Sequence, residues 1–437
     1  MTTSAGRFSI PPIRSTVAGT GALFAGIALM MAGNGLQFST IGVGSALADF
    51  SAMAIGVLTA AYYLGFLLGA LFTFGALSRV GHIRVFAAFA SSASASVLLH
   101  SLWTNPATWS VLRFVTGFCM AGLFMVVESW INDRAGNHNR GLFMSAYMVV
   151  GIGARAAGQA LLNVGDPGSF DLFVISSVLV PMALVPMAMS ESSSPPVVTP
   201  ERLTFREMWS IAPTGVVTVF ASGLSTSMLS GLVAVYATRV GMSTRDVSIF
   251  VSAQLIGAVV LQIPIGAASD RFLRRPVMLL TTLGASGMAV ALALGPRTGT
   301  VAVALIFLMG GFAYPMYSLG AAHTNDWIPG EQRAGAAMLI MLISGAGAVV
   351  GPIVASVAMG MAVEGLFWSV ATVHAVFALF LLVRIVSRPP VPAAQKSAFA
   401  PVPERATAVI LSRARRRGTG VSRGDERPGP DAVPGDR

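Results

Sequence analysis

The chain has 437 residues, of which 54% are hydrophobic and only 11% charged. Soluble domains carry about 25% charged residues, so a water-exposed enzyme of this size is excluded, as is a disordered or collagen-like chain. The net charge of +10 raises nucleic acid as a partner, but where those charges sit along the chain excludes it.

A membrane-crossing helix needs about 20 mostly apolar residues. By that measure twelve spans are expected, at 18–43, 52–77, 85–103, 108–130, 141–164, 170–190, 209–238, 245–268, 277–295, 299–321, 335–361 and 365–387. The expected fold is therefore an all-α membrane protein with two six-helix bundles, 18–190 and 209–387. Residues 1–17 form an N-terminal segment, 191–208 a linker rich in Ser, Pro and charge, and 388–437 a basic tail.

In chain order, span 1 carries Asn34 and Gln37, and is too long for the apolar region of a signal peptide. Span 2 carries Tyr62 and Tyr63 and runs out to Arg79, with Arg84 in the next connection. Span 4 holds Arg113 near one end and Glu128 near the other, with Asp133 just beyond. Arg140 opens span 5, which contains Arg155 and Gln159. In the second half come Ser225, Thr226 and Ser227 on span 7, and Gln254 on span 8, which leads to Asp270 and Arg271. Tyr314 and Tyr317 lie on span 10, followed by Asp326 and Arg333. His100 and His374 stand isolated and read as structural. The lone Cys119 excludes a disulfide within the chain and a Cys-based zinc site. No phosphate loop, His/Glu metal spacing or nucleophile elbow is present. Neither a cofactor nor a metal is expected, and the chain reads as no enzyme.

Orientation follows from the basic residues. With the N-terminus inside, 12 Arg fall on cytoplasmic segments and 3 on the opposite side, which places both termini in the cytoplasm of an inner membrane. From Arg388 onward ten basic and five acidic residues accompany Pro-rich stretches and an Arg413-Ala414-Arg415-Arg416-Arg417 cluster. Such a composition buries no core and reads as a solvated, disordered tail.

A charge at membrane depth costs about 3 kcal/mol, so each needs a partner or a wet cavity. Arg113 and Arg155 both fall in the outer half of the bilayer. Facing a central cavity they would attract an anionic solute; otherwise they bond to carbonyls or snorkel outward. Glu128 reads as a cytoplasmic gate residue near Arg79, Arg84 and Arg140, or as the carrier of a coupling proton. Asp133, Asp270, Arg271, Asp326 and Arg333 read as gate residues too. Asn34, Gln37, Tyr62, Gln159, Gln254, Tyr314 and Tyr317 supply the amides and phenols that suit a small polar or amphipathic solute.

The two halves align at an offset of 192 or 193 residues: Gly65 with Gly257, Arg79 with Arg271, Asn132-Asp133 with Asn325-Asp326, Arg140 with Arg333, Gly158 with Gly351. An even number of spans per copy means a parallel repeat, related by an axis along the membrane normal. That is the architecture of transporters whose halves rock around a central site.

The connection between spans 8 and 9 reads Gly266-Ala267-Ala268-Ser269-Asp270-Arg271-Phe272-Leu273-Arg274-Arg275. It resembles the G-x-L-x-D-R-x-G-[RK]-[RK] signature of the major facilitator superfamily. The first-half copy is degenerate, with Ser78 where the family prefers Asp, so the gate chemistry of that Asp is not carried over. Span 4 has Arg113-x-x-x-Gly117-x-x-x-x-Gly122, Glu128-Ser129 follows, and span 10 has Gly311-Phe312-x-Tyr314-Pro315. Together these are similar to the YcaD-like branch of the superfamily. The resemblance implies a monomeric twelve-helix transporter of a small solute, with spans 1, 4, 7 and 10 lining the cavity and efflux the favoured direction. Span 5 lacks the G-x-x-x-G-P element of many drug:proton antiporters, since Gln159 stands where the repeat has Pro352. A solute-binding membrane sensor and a lipid flippase remain as alternatives.

Overall fold

The computed structural model describes residues 13–134, 140–188, 203–329, 332–388 and 399. The N-terminal segment up to residue 12, the linker up to residue 202, the tail apart from Arg388 and Phe399, and the side chain of Arg140 lie outside the described residues. The first half comprises α1 (Ile13–Leu47), α2 (Ala52–Val80), α3 (His82–Leu102), α4 (Pro106–Arg134), α5 (Arg140–Ala160), α6 (Asp171–Met182) and α7 (Leu184–Ala188). A short helix, α8 (Phe205–Ile211), leads into the second half. That half comprises α9 (Pro213–Arg239), α10 (Thr244–Arg271), α11 (Arg274–Leu294), α12 (Gly299–Ala313), α13 (Pro315–Trp327), α14 (Arg333–Met361) and α15 (Gly365–Ser387).

Ten of the described helical stretches are long and apolar enough to cross a membrane, with α12 and α13 counted as one. The other two expected spans fall on α5, which carries Arg155 and Gln159, and on the broken pair α6–α7. The break has a local cause. Pro186 has no N–H to donate to the carbonyl of Met182, and its ring crowds that carbonyl. Span 10 is broken in the same way before Pro315, so its two pieces meet at Tyr314, and its helix runs on to Trp327 rather than ending near 321.

Helix starts follow local chemistry. Ser51 and Ser243 cap α2 and α10 by accepting from Ala54 and Asp246 backbone N–H groups. Gly81 is the single residue between α2 and α3 and takes φ 86°, a conformation that side chains disfavour. Thr204 and Glu207 form a reciprocal capping box at α8. Pro213 then starts α9, where a missing N–H costs nothing.

The repeat is written into the backbone contacts. A Cβ on Gly65 would run into the carbonyl of Phe114, and one on Gly257 into that of Phe307. Gly117 and Gly310 stand in the same relation to Tyr62 and Gln254, and Gly158 and Gly351 to Ala32 and Leu224. Each pair of partners is separated by the same 192 or 193 residues, so α2/α4 matches α10/α12 and α1/α5 matches α9/α14. Small residues let these helices cross at backbone contact, which is how helices associate where lipid supplies no hydrophobic drive.

The halves meet through α2 with α14, α5 with α10, and α1 with α9. Odd-numbered spans start at the end of the bundle rich in Arg, termed here the basic end, and finish at the far end. Among the described residues, the hydrogen bonds seen between the halves cluster towards the far end. Arg239 donates to the carbonyl of Phe50 at 2.9 Å, Ser248 to that of Gln159 at 2.7 Å and Ser252 to that of Ala156 at 3.4 Å. Gly56 lies tight against Ser356 and Gly231 against Thr59. Contact continues along α2 and α14 as far as Ala70 and Met341.

Candidate functional site

Two polar clusters occupy equivalent helices of the two halves. In the first, Arg113 on α4 is 2% exposed. Its guanidinium carbon sits 4.2 Å from the centroid of Tyr62 on α2 and 4.4 Å from that of Phe38 on α1. The two rings meet edge-on, 4.8 Å apart at 80°, so the cation lies in the angle they make. Such contacts are worth about 2 kcal/mol when desolvated, a substantial offset to placing a cation in the bilayer. Asn34, one helical turn before Phe38, donates to the Tyr62 hydroxyl at 3.4 Å. Phe66 and Phe124 extend the aromatic chain from Tyr62.

Gln159 is buried beside this cluster and joins α5 to α1. It donates to the carbonyl of Gly35 at 3.0 Å and accepts from Ser39. Arg155, one turn away, is half-buried, and its backbone lies directly against Gly35. Gln37 is buried on the same stretch of α1.

In the second half Tyr314 is the centre. Its hydroxyl accepts from Gln254 on α10 at 2.8 Å and is 2.9 Å from Ser230 on α9. Gln254 is the repeat equivalent of Tyr62, and Ser230 that of Phe38, each 192 residues on. The break before Pro315 sets Tyr314 at the junction of two helices. Tyr317 lies elsewhere, buried in an apolar cluster with Met208, Val216 and Ile340. Ser225 is also engaged elsewhere: its hydroxyl and that of Thr282 sit 2.9 Å and 2.8 Å from the two ring nitrogens of His374. His374 is thus part of a three-residue network rather than isolated, in keeping with a structural role.

At the basic end the candidate gate residues divide. Arg79, Arg84, Asp133, Asp270, Arg271 and Arg333 are exposed. Asp326 is buried and pairs with Arg274, Nε to Oδ2 at 2.5 Å, and Arg274 also donates to Ser269 at 2.9 Å. Arg275 donates to the carbonyls of Arg384 and Arg388, pinning the end of α15. Glu128 is fully buried within the first half, where the Tyr147 hydroxyl lies 3.4 Å from its carboxylate.

Phe38, Ser230 and Arg274 were missed by residue-type reasoning. Spacing carried a signal for the first, since Phe38 follows Asn34 by one turn. For Ser230 and Arg274 the repeat would have served, because they match Phe38 and His82.

The sequence profile of the Major Facilitator Superfamily matches residues 23–211 and 215–420. The chain belongs to that superfamily. Among relatives, an uncharacterized MFS-type transporter, YcaD of Escherichia fergusonii, is 23% identical over 339 residues, covering 75% of this chain and 86% of its own. Superfamily members also share the fold. The nucleoside transporter NupG superposes with a TM-score of 0.69 at 14% identity, covering 86% of this chain and all of its own. A bacterial homolog of the human lysosomal transporter Spinster, in an inward-facing and occupied conformation, gives 0.67 at 16%, covering 89% and 99%. The chain is accordingly a multi-pass membrane transporter of the superfamily, with helical halves related by a parallel repeat.

Proposed function

We propose that this transporter moves a small anionic or amphipathic solute by rocking its halves about the two polar clusters, with the basic end in the cytoplasm. One observation carries the reading. Among the described residues, the hydrogen bonds seen between the halves cluster towards the far end, while the ion pair Arg274–Asp326 at the basic end lies within one half and most charged residues there are exposed. That is the arrangement of a carrier open to the cytoplasm. The first-half cluster supplies cationic character through Arg113 and Arg155, and the second supplies the amide and phenol of Gln254 and Tyr314. On this reading Glu128, enclosed within one half beside Tyr147, holds the inner ends of α4 and α5 together.

Purified protein would be screened by thermal shift against organic anions, sugars and cationic drugs, then assayed for uptake in liposomes. An organic anion is expected to stabilise the protein, with affinity falling tenfold or more, about 1.4 kcal/mol, in Arg155→Ala. Equal stabilisation of both proteins removes Arg155 from the site. Uptake of none of these classes by liposomes removes the transport reading for them. Proton flux unchanged by Glu128→Gln, with uptake intact, assigns Glu128 to the scaffold rather than to coupling.

A second reading has one observation in its favour. A mostly apolar groove between α2 and α14 is lined by Tyr63, Phe66, Leu67, Met341 and Gly345. It would admit the chain of an amphipathic lipid from the side, and scrambling of a fluorescent lipid in the same liposomes tests it.

A further inference from the structure

Phe399 belongs to the tail, yet it is seated in the helical body. Its backbone N–H donates to Asp270 Oδ1 at 2.7 Å. Its ring lies against Gly266, where a Cβ would meet it, and packs on the apolar cluster that includes Val277, Met316, Leu319 and Leu381. Eleven residues earlier the chain leaves α15 at Arg388, held by Arg275. The seat is specific to the second half. In the first-half copy Phe74 and Ser78 stand where Gly266 and Asp270 stand here, so a ring fills the space and a short hydroxyl replaces the carboxylate.

The face that Phe399 covers matters more than the contact itself. Gly266 follows Ser248 by eighteen residues, and Asp270 follows Ser252 by the same number. Eighteen residues is five full turns at 3.6 residues per turn. Gly266 and Asp270 therefore lie on the stripe of α10 whose other end bonds α5 of the first half through Ser248 and Ser252. If the halves rock, closing the basic end brings this stripe towards the start of α5. A phenylalanine seated on it stands in the way.

We propose that Phe399 is a built-in wedge: docked on Gly266 and Asp270, its ring props open the seam between α5 and α10 at the basic end and restrains the swing to the opposite state. The proposal rests on the rocking reading above, and the test separates the two. Full-length protein in lipid nanodiscs, with Cys119 replaced by Ala, would carry spin labels at Ser78→Cys and Leu273→Cys on the two exposed connections. Two distance populations are expected, the longer dominant. Phe399→Ala should raise the shorter population several-fold, and Phe399→Leu, which keeps an apolar plug, should raise it less. Two populations that ignore Phe399→Ala overturn the wedge and leave the rocking reading standing. A single population in every variant, with or without solute, overturns both.

Discussion

The two halves cross their helices at the same residues and fill the space between them with different chemistry. Gly65, Gly117 and Gly158 meet the same backbone carbonyls as Gly257, Gly310 and Gly351, one repeat later. Around that shared frame, Tyr62 answers to Gln254, Phe38 to Ser230, His82 to Arg274 and Ser78 to Asp270. The first half thereby holds a cation among aromatic rings, and the second holds a neutral network of hydroxyls and an amide. At the basic end the second half has the buried ion pair Arg274–Asp326, where the first has His82 bonded to Ser129 at 3.0 Å and an exposed Asp133. A duplicated membrane bundle tolerates side-chain divergence because small residues at the crossings, rather than matched polar pairs, set the helix geometry.

The basic end offers the largest test of this contrast. Asp326→Asn leaves Arg274 buried without its counter-charge and should cost about 3–5 kcal/mol. Asp133→Asn, at the equivalent exposed place, should stay within about 0.5 kcal/mol. Thermal unfolding of the purified protein in detergent compares them, and equal losses would break the asymmetry. Next come the crossings. Gly65→Ala and Gly257→Ala each force two helix backbones apart and should each cost about 1–3 kcal/mol. Here the halves should agree, and a neutral result in one would show that its crossing does not depend on the glycine.

A comparable effect separates the two clusters. Tyr314→Phe removes the hydroxyl shared by Gln254 and Ser230 and should cost about 1–3 kcal/mol. Tyr62→Phe keeps the ring face under Arg113 and should cost less, whereas Tyr62→Leu removes that face and should cost more. The reverse order would mean that the hydroxyl of Tyr62, not its ring, supports the cation. The smallest effect lies in the capping box between the halves. Thr204 donates to the Glu207 carboxylate from its backbone and hydroxyl, both at 2.7 Å, which holds that carboxyl below its usual range. A lowered folded value means that the cap supports the helix fully above the unfolded carboxyl value and loses that support as pH falls through the folded one. A slight acid-side drop in melting temperature is expected for the wild type, and Glu207→Gln should abolish that dependence.

Much of the fold was legible because each span states its own length and polarity. The repeat was legible because glycines and arginines recur at a constant offset. Span 5 was readable as a span although it carries Arg155 and Gln159, and its Gln159 bonds α1 while the backbone of Arg155 packs on Gly35. Of the candidate cavity residues, the structure draws together Asn34, Tyr62 and Arg113 in one cluster and Gln254 with Tyr314 in the other, but sets Tyr317 in an apolar core. Composition gave no sign of that last placement, because a tyrosine on the right span reads the same on either face.

By itself the sequence determined the class, because a bilayer demands long apolar helices and basic connections whatever their packing, while a constant offset showed the duplication and local motifs the superfamily. Tertiary structure alone decided that Phe38 and Tyr62 flank Arg113, that Arg274 rather than Arg271 meets Asp326, that the far end is the fastened one, and that a tail phenylalanine rests on Gly266. Each of these depends on which faces of distant helices are turned together. That is set by backbone crossings at a few glycines, and hydropathy carries no record of it.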